Sequence, residues 1–112
     1  LMNNPGLTEI GLADIMIGSQ FPYLLATSGY YALTSLDLSR TGVNDQMSLV
    51  NYSGLETLAL ESNDVQSLFG LETLVGLTLL NIQDNAMINC MELDYFKTML
   101  PNLVVLSPSQ CP

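Results

Sequence analysis

An α/β solenoid, wound so that a parallel β-sheet lines its concave face, is the fold class this sequence predicts. Three observations carry that expectation. Leu33, Leu36, Leu38 and Val43 return 22 residues later as Leu55, Leu58, Leu60 and Val65, and 22 later again as Leu77, Leu80, Ile82 and Met87. Within each copy the apolar residues alternate, as in Leu36-Asp37-Leu38, which is the period of a strand with one face buried. The second half of each copy is too short for a full α-helix, and Gly54, Gly70 and Gly76 sit near the turns.

Extended through the middle copy, Leu68, Leu71 and Leu74 follow Val65 at steps of three, which completes a pattern LxxLxLxxNxVxxLxxLxxLxx. This resembles the leucine-rich repeat, and in particular its short 22-residue bacterial, internalin-like class. The resemblance implies a strand over LxxLxL and a 3₁₀ or irregular turn on the convex side, with repeats at 33–54, 55–76 and 77–102. Asn63 and Asn85 stand where the chain leaves the sheet, and their amides are expected to satisfy backbone groups that the turn would otherwise bury unpaired. Thr41 takes that place in the first regular repeat. All three residues read as structural.

The ends depart from the pattern. Leu7, Ile10 and Leu12 fit the strand template 26 residues before Leu33, but Ile15 stands at the Asn position, so 7–32 reads as an irregular first repeat. Its connecting stretch, 18–32, carries Phe21, Tyr23, Tyr30 and Tyr31; these read as packing over the first coil, with an interaction loop as the functional alternative. Downstream, 91–100 reads as a short capping helix with Leu93, Phe96, Met99 and Leu100 on one face and Pro101 as its stop. Leu103 opens a last strand, curtailed by Pro108, within a terminal cap at 103–112. A solenoid needs covered ends. Leu1, Met2, Asn3, Asn4 and Pro5 are too few to cover the first coil, so further repeats or another domain are expected before Leu1, with self-association through that end as an alternative.

Cys90 falls at a core position of the last full repeat and Cys111 at the Asn position of the terminal one. Two buried thiols and one disulfide are both compatible with those positions. The stretch from Asn89 to Cys111, with its order Cys, Leu-Pro-Asn, Pro-Ser-x-Cys, resembles the C-terminal cap of secreted Gram-negative leucine-rich repeat proteins. That resemblance implies the Cys90–Cys111 disulfide and an extracellular or cell-surface location.

Eleven acidic residues against Lys97 and Arg40 give a net charge of −9. Nucleic acid and anionic membranes are poor partners for such a surface, since both recruit Lys and Arg. No apolar run is long enough for a membrane span. The chain has no His, so His-based triads and zinc sites are excluded, and no phosphate-binding glycine loop is present. No cofactor or metal is expected. Asp37 and Glu61, about 8 Å apart on adjacent strands, approach the spacing of an inverting glycosidase pair. An open acidic sheet produces such pairs without the burial that would raise one pKa, so an enzyme is not expected.

The outward columns of the sheet are the expected binding surface: Ser35, Thr57, Leu79 and Val105; Asp37, Ala59, Asn81 and Ser107; Ser39, Glu61, Gln83 and Ser109; Arg40, Ser62, Asp84 and Gln110. Within them Asp37, Ser39, Arg40, Glu61, Asn81 and Gln83 are the candidate contact residues, with an apolar corner at Leu79 and Val105. No aromatic anchor lies in these columns, which predicts modest affinity from these repeats alone. The expected function is non-enzymatic recognition of a protein or glycan by a secreted or surface-exposed bacterial protein. The alternative is a structural unit that stacks into an extended extracellular assembly.

Overall fold

The structure is a computed structural model and describes residues 8–16, 33–44, 46–50 and 52–111. Phe21, Tyr23, Tyr30 and Tyr31 lie outside the described residues, as do Leu1 to Pro5. Five short strands form one parallel sheet in chain order: β1 (Glu9–Gly11), β2 (Ser35–Asp37), β3 (Thr57–Ala59), β4 (Leu79–Asn81) and β5 (Val104–Leu106). Sequential parallel pairing with one strand per coil is a solenoid. The convex side carries 3₁₀ turns at Gln46–Leu49 and Leu71–Thr73, and in the fourth coil a helix, α1 (Cys90–Met99).

The period-two pattern explains the core. Leu36, Leu58 and Leu80 point inward from their strands; Leu38, Leu60 and Ile82 follow, and Val65, Leu68, Leu71 and Leu74 close the middle coil from the convex side. Each of these side chains is essentially inaccessible. One buried Leu contributes roughly 1.5–3 kcal/mol from its own transfer. No single coil encloses its leucines; stacking does.

At one position every coil turns in the same way. Asp14, Arg40, Ser62 and Asp84 all adopt left-handed backbone, with φ of 68°, 56°, 57° and 56°. Such a conformation costs a non-glycine residue roughly 1–2 kcal/mol. A ladder bond offsets it in three coils: the N–H of Asp14, Arg40 and Ser62 each donates to the next coil, to Ser39 O, Glu61 O and Gln83 O, at 2.9 Å. The left-handed residue thus turns the chain off the sheet without breaking the ladder.

Register shows where the last coils depart from the template. Ile10 pairs with Leu36, Leu36 with Leu58 and Leu58 with Leu80, but Leu80 pairs with Val105 rather than Leu106. A one-residue slip exchanges the faces of a strand. The expected outward column therefore ends in Val104, not Val105, and its neighbour ends in Leu106, not Ser107. One further residue before Pro108 then restores the spacing, so Pro108 and Cys111 are buried.

Two other side chains differ from expectation. Met87 is exposed and Ile88 takes the core place, although the 22-residue spacing holds on either side, from Asn63 to Asn85 and from Leu71 to Leu93, all buried. Met99 also faces outward. Leu93 and Phe96 supply the buried face of α1, and Met99 stands three residues past Phe96, at the end of the helix where the chain is already leaving the core.

The C-terminal end is closed by three ties. Asn89 caps α1, its Oδ1 accepting from the N–H of Met91 and Glu92 at 2.8 and 3.2 Å. Glu92 Oε1 accepts from Ser67 Oγ and Leu68 N, both at 2.7 Å, which pins the helix to the preceding coil. Cys90 and Cys111 form a disulfide.

Candidate functional site

The outward face of the sheet carries two rows: Glu9, Ser35, Thr57, Leu79 and Val104, and beside it Gly11, Asp37, Ala59, Asn81 and Leu106. Because Ala59 is small, the middle of the face is hollow. An open depression of about 220 Å³ lies there, lined by polar Ser35, Asp37 and Thr57 at one side and by Leu79, Asn81 and Leu106 at the other. Together with Val104, Leu79 and Leu106 form an exposed aliphatic patch on β4 and β5. Two of its three residues are not legible in the repeat, because only the register slip brings Val104 and Leu106 outward.

The candidate contact residues divide into three groups. Asp37 and Asn81 lie on the sheet and face the depression. Both are also held by their own chain: Asp37 Oδ1 accepts from Ser39 N, and Asn81 Oδ1 from Gln83 N, each at 3.0 Å. These local turns are the work of short side chains that carry an acceptor; Ala59 has none.

Ser39 is a correction. It is only 4% exposed and presents almost no contact surface, whereas the longer Glu61 and Gln83 in the same column reach solvent.

Arg40, Glu61 and Gln83 form a rim where the strands leave the sheet. Arg40 makes a two-point contact with Asp14, through Nε to Oδ1 and through Nη2 to Oδ2 at 3.2 Å, and its Nη1 lies 3.8 Å from Glu61 Oε2. Next along the same column, Ser62 Oγ donates to Asp84 Oδ2 at 2.8 Å. Arg40 thus bridges Asp14 of the preceding coil and Glu61 of the following one. Among the described residues no cluster of three His, Cys, Asp or Glu side chains is placed to hold a metal.

The Arg40 guanidinium holds the Asp14 carboxyl below the usual carboxylate range, mainly by hydrogen bond; desolvation opposes this, and the charge of Arg40 adds a lesser lowering. The folded carboxyl therefore binds its proton less tightly than the unfolded one. Its contribution to stability is complete above the ordinary Asp range and is lost as pH falls through the folded value. Both groups are exposed, so the effect on stability is small, but the titration is measurable. Carboxyl-carbon NMR should give Asp14 a pKa below the ordinary Asp value, and Arg40→Gln should bring it back up. An Asp14 pKa that Arg40→Gln leaves in place would show that the pair does not persist in solution.

Behind the rim, Asn63 and Asn85 line up on the core side of the turn. Asn63 Oδ1 accepts from Thr41 N and Gly42 N at 3.0 and 2.8 Å, and its Nδ2 donates to Leu38 O and Leu60 O at 2.8 and 3.0 Å. Asn85 accepts from Val65 N at 3.1 Å and donates to Leu60 O and Ile82 O at 2.9 and 3.1 Å. Thr41 Oγ1 donates to Leu38 O at 2.7 Å. In the first coil Ile15 stands in register with Thr41 and is exposed, with no amide to offer.

Sheet, coil length and asparagine row together define a leucine-rich repeat solenoid. A solved leucine-rich repeat protein of Leptospira interrogans is similar in structure: the match has a TM-score of 0.69 and 22% identity over 90% of this chain. The match spans only 25% of the Leptospira protein, so this chain corresponds to about a quarter of that length. No protein-family model and no curated protein matches the chain. Among the described residues no helix is long and apolar enough to cross a membrane.

Proposed function

We propose that the chain is a non-enzymatic recognition module of a secreted or surface-exposed bacterial protein, and that it binds a protein or glycan through the concave face. The observation that carries this reading is the depression on the sheet, polar at Ser35 and Asp37 and aliphatic at Leu79 and Leu106, with exposed Val104 on the same face. An exposed aliphatic patch with a polar rim is the composition of a protein-binding surface. The Cys90–Cys111 disulfide supports exposure outside the cytoplasm, where such bonds persist. The partner would place an apolar side chain against Leu79 and Leu106 and hydrogen-bonding groups over Asp37 and Asn81.

Ala59→Arg and Asn81→Trp, made separately, fill the depression without touching the core. Each is expected to abolish capture of extracellular proteins and glycans from an array while circular dichroism stays unchanged. Binding that survives both variants overturns the concave-face reading. If sedimentation instead shows ordered assembly of the unmodified chain, lost in either variant with no ligand bound in any case, the stacking alternative replaces it.

A further inference from the structure

The convex side carries a second apolar feature that the concave-face reading does not use. The helix α1 is apolar on two sides. Leu93 and Phe96 face the core, while Met91, Tyr95 and Met99, four residues apart, form a ridge facing solvent, with exposures of 81%, 68% and 47%. A helix that only closes a solenoid needs one apolar stripe, with polar residues opposite it. Across from the ridge stands Phe69, 70% exposed at the turn of the preceding coil.

That turn is held in place. Gly70 sits at φ 95°, where a Cβ would come within 2.7 Å of Met47 Sδ, and Gln46 Nε2 donates to Phe69 O at 3.1 Å. The Phe69 ring is therefore presented outward by a fixed backbone.

Between the turn and the helix lies a groove of about 230 Å³, floored by Leu68 and Phe96 and walled by Phe69, Tyr95 and Met99. It is smaller than the roughly 300–1,000 Å³ of small-molecule sites and suits one aliphatic anchor side chain. Two half-buried carboxylates, Glu72 and Glu92, complete the lining, and no described basic side chain does. Both are held at the groove, Glu92 by Ser67 and Leu68 and Glu72 by Gly70 N at 2.9 Å. The charge around the apolar floor is therefore fixed and negative. A second copy of a chain with net charge −9 is repelled from such a site.

We propose that this groove docks a segment of a partner protein in which an aliphatic side chain is flanked by Lys or Arg. The aliphatic group enters between Phe69 and Met99, and the flanking cations lie over Glu72, Glu92 and the faces of Phe69 and Tyr95.

The test uses the full oxidised chain and a labelled synthetic peptide, Lys-Lys-Leu-Leu-Lys-Lys, with Glu-Glu-Leu-Leu-Glu-Glu as its charge-reversed control. Amide NMR should place the perturbations of the basic peptide at Leu68, Phe69, Tyr95 and Met99. Phe69→Ser with Tyr95→Ser, both exposed positions, should weaken binding about tenfold or more while other amide resonances keep their positions. Glu72→Gln should weaken binding and flatten its salt dependence, and Leu79→Ser on the concave face should change nothing. Perturbations spread over the whole acidic surface, equal affinity for the acidic control, or unchanged affinity in the double variant each overturn the proposal. Dimers that Phe69→Ser abolishes would assign the groove to a second copy and overturn it as well.

Discussion

Asn63→Ala should lower the unfolding free energy by about 3–4 kcal/mol, the largest loss expected from any single polar side chain here. The amide of Asn63 serves backbone groups of two coils, two N–H donors at Thr41 and Gly42 and the carbonyls of Leu38 and Leu60, with a longer bond to Glu61 O at 3.4 Å. Removing it strips the N–H groups of Thr41 and Gly42 of their acceptor, while Leu38 O and Leu60 O each keep one donor, Thr41 Oγ1 and Asn85 Nδ2. The loss is about 1–3 kcal/mol for each N–H left unsatisfied, less whatever relaxation recovers. Urea unfolding followed by circular dichroism measures the loss as a shift in midpoint at constant slope. Asn63→Asp keeps the acceptor and loses the donor, so it should fall between wild type and alanine. A loss below about 1 kcal/mol for Asn63→Ala would mean that the turn finds other partners, and the asparagine row would then not be what holds adjacent coils together.

Opening the Cys90–Cys111 bond should cost about 3 kcal/mol. The closed segment has a sequence separation of 21, and the chain-entropy relation gives that figure for a loop of this length. The loss should also be local. Coils of a solenoid touch only their neighbours, and α1 keeps its separate tie to Ser67 and Leu68 through Glu92. Hydrogen exchange of the reduced protein, or of Cys90→Ala with Cys111→Ala, should therefore quicken first at Val104 to Leu106 and along α1. Protection at Leu58 to Leu60 should be nearly unchanged. Uniform loss of protection along the chain would show that the cap and the repeats unfold as one unit.

How far the sequence could be read depended on what each residue's burial rests on. Leu36, Leu58 and Leu80 recur at a fixed period and point to one core, so strand order, pairing and the inward face of three coils were legible from spacing alone. The asparagine row was legible for the same reason, since an amide at the point where a strand ends has few other uses. The last strand was not. Leu103 aligns with Leu77 by type, yet Val104 to Leu106 pairs one residue out of that alignment, because the chain between them is a helix whose length the repeat does not set. The outward face of the sheet suffered most from this slip, since it turned Val104 and Leu106 to solvent.

Ser39 shows a second limit. It alternates correctly with Asp37, but its short side chain is buried where the longer Glu61 and Gln83 of the same column reach solvent. The left-handed column at Asp14, Arg40, Ser62 and Asp84 was hidden for a different reason: two of its four members are residue types with no preference for that conformation, and tertiary ladder bonds impose it.

That column has a consequence for how the protein tolerates changes in length. From the central strand residue to the left-handed one the count never varies: Ile10 to Asp14, Leu36 to Arg40, Leu58 to Ser62 and Leu80 to Asp84 are each four residues. From that residue round to the next strand the chain is longer in the first and fourth coils than in the two between. Insertions and grafted segments belong on that return path, where the helix α1 already occupies one. A single residue added in the four-residue interval would break the ladder to both neighbours. The concave side is a fixed ruler, and the convex side is where the molecule can be lengthened.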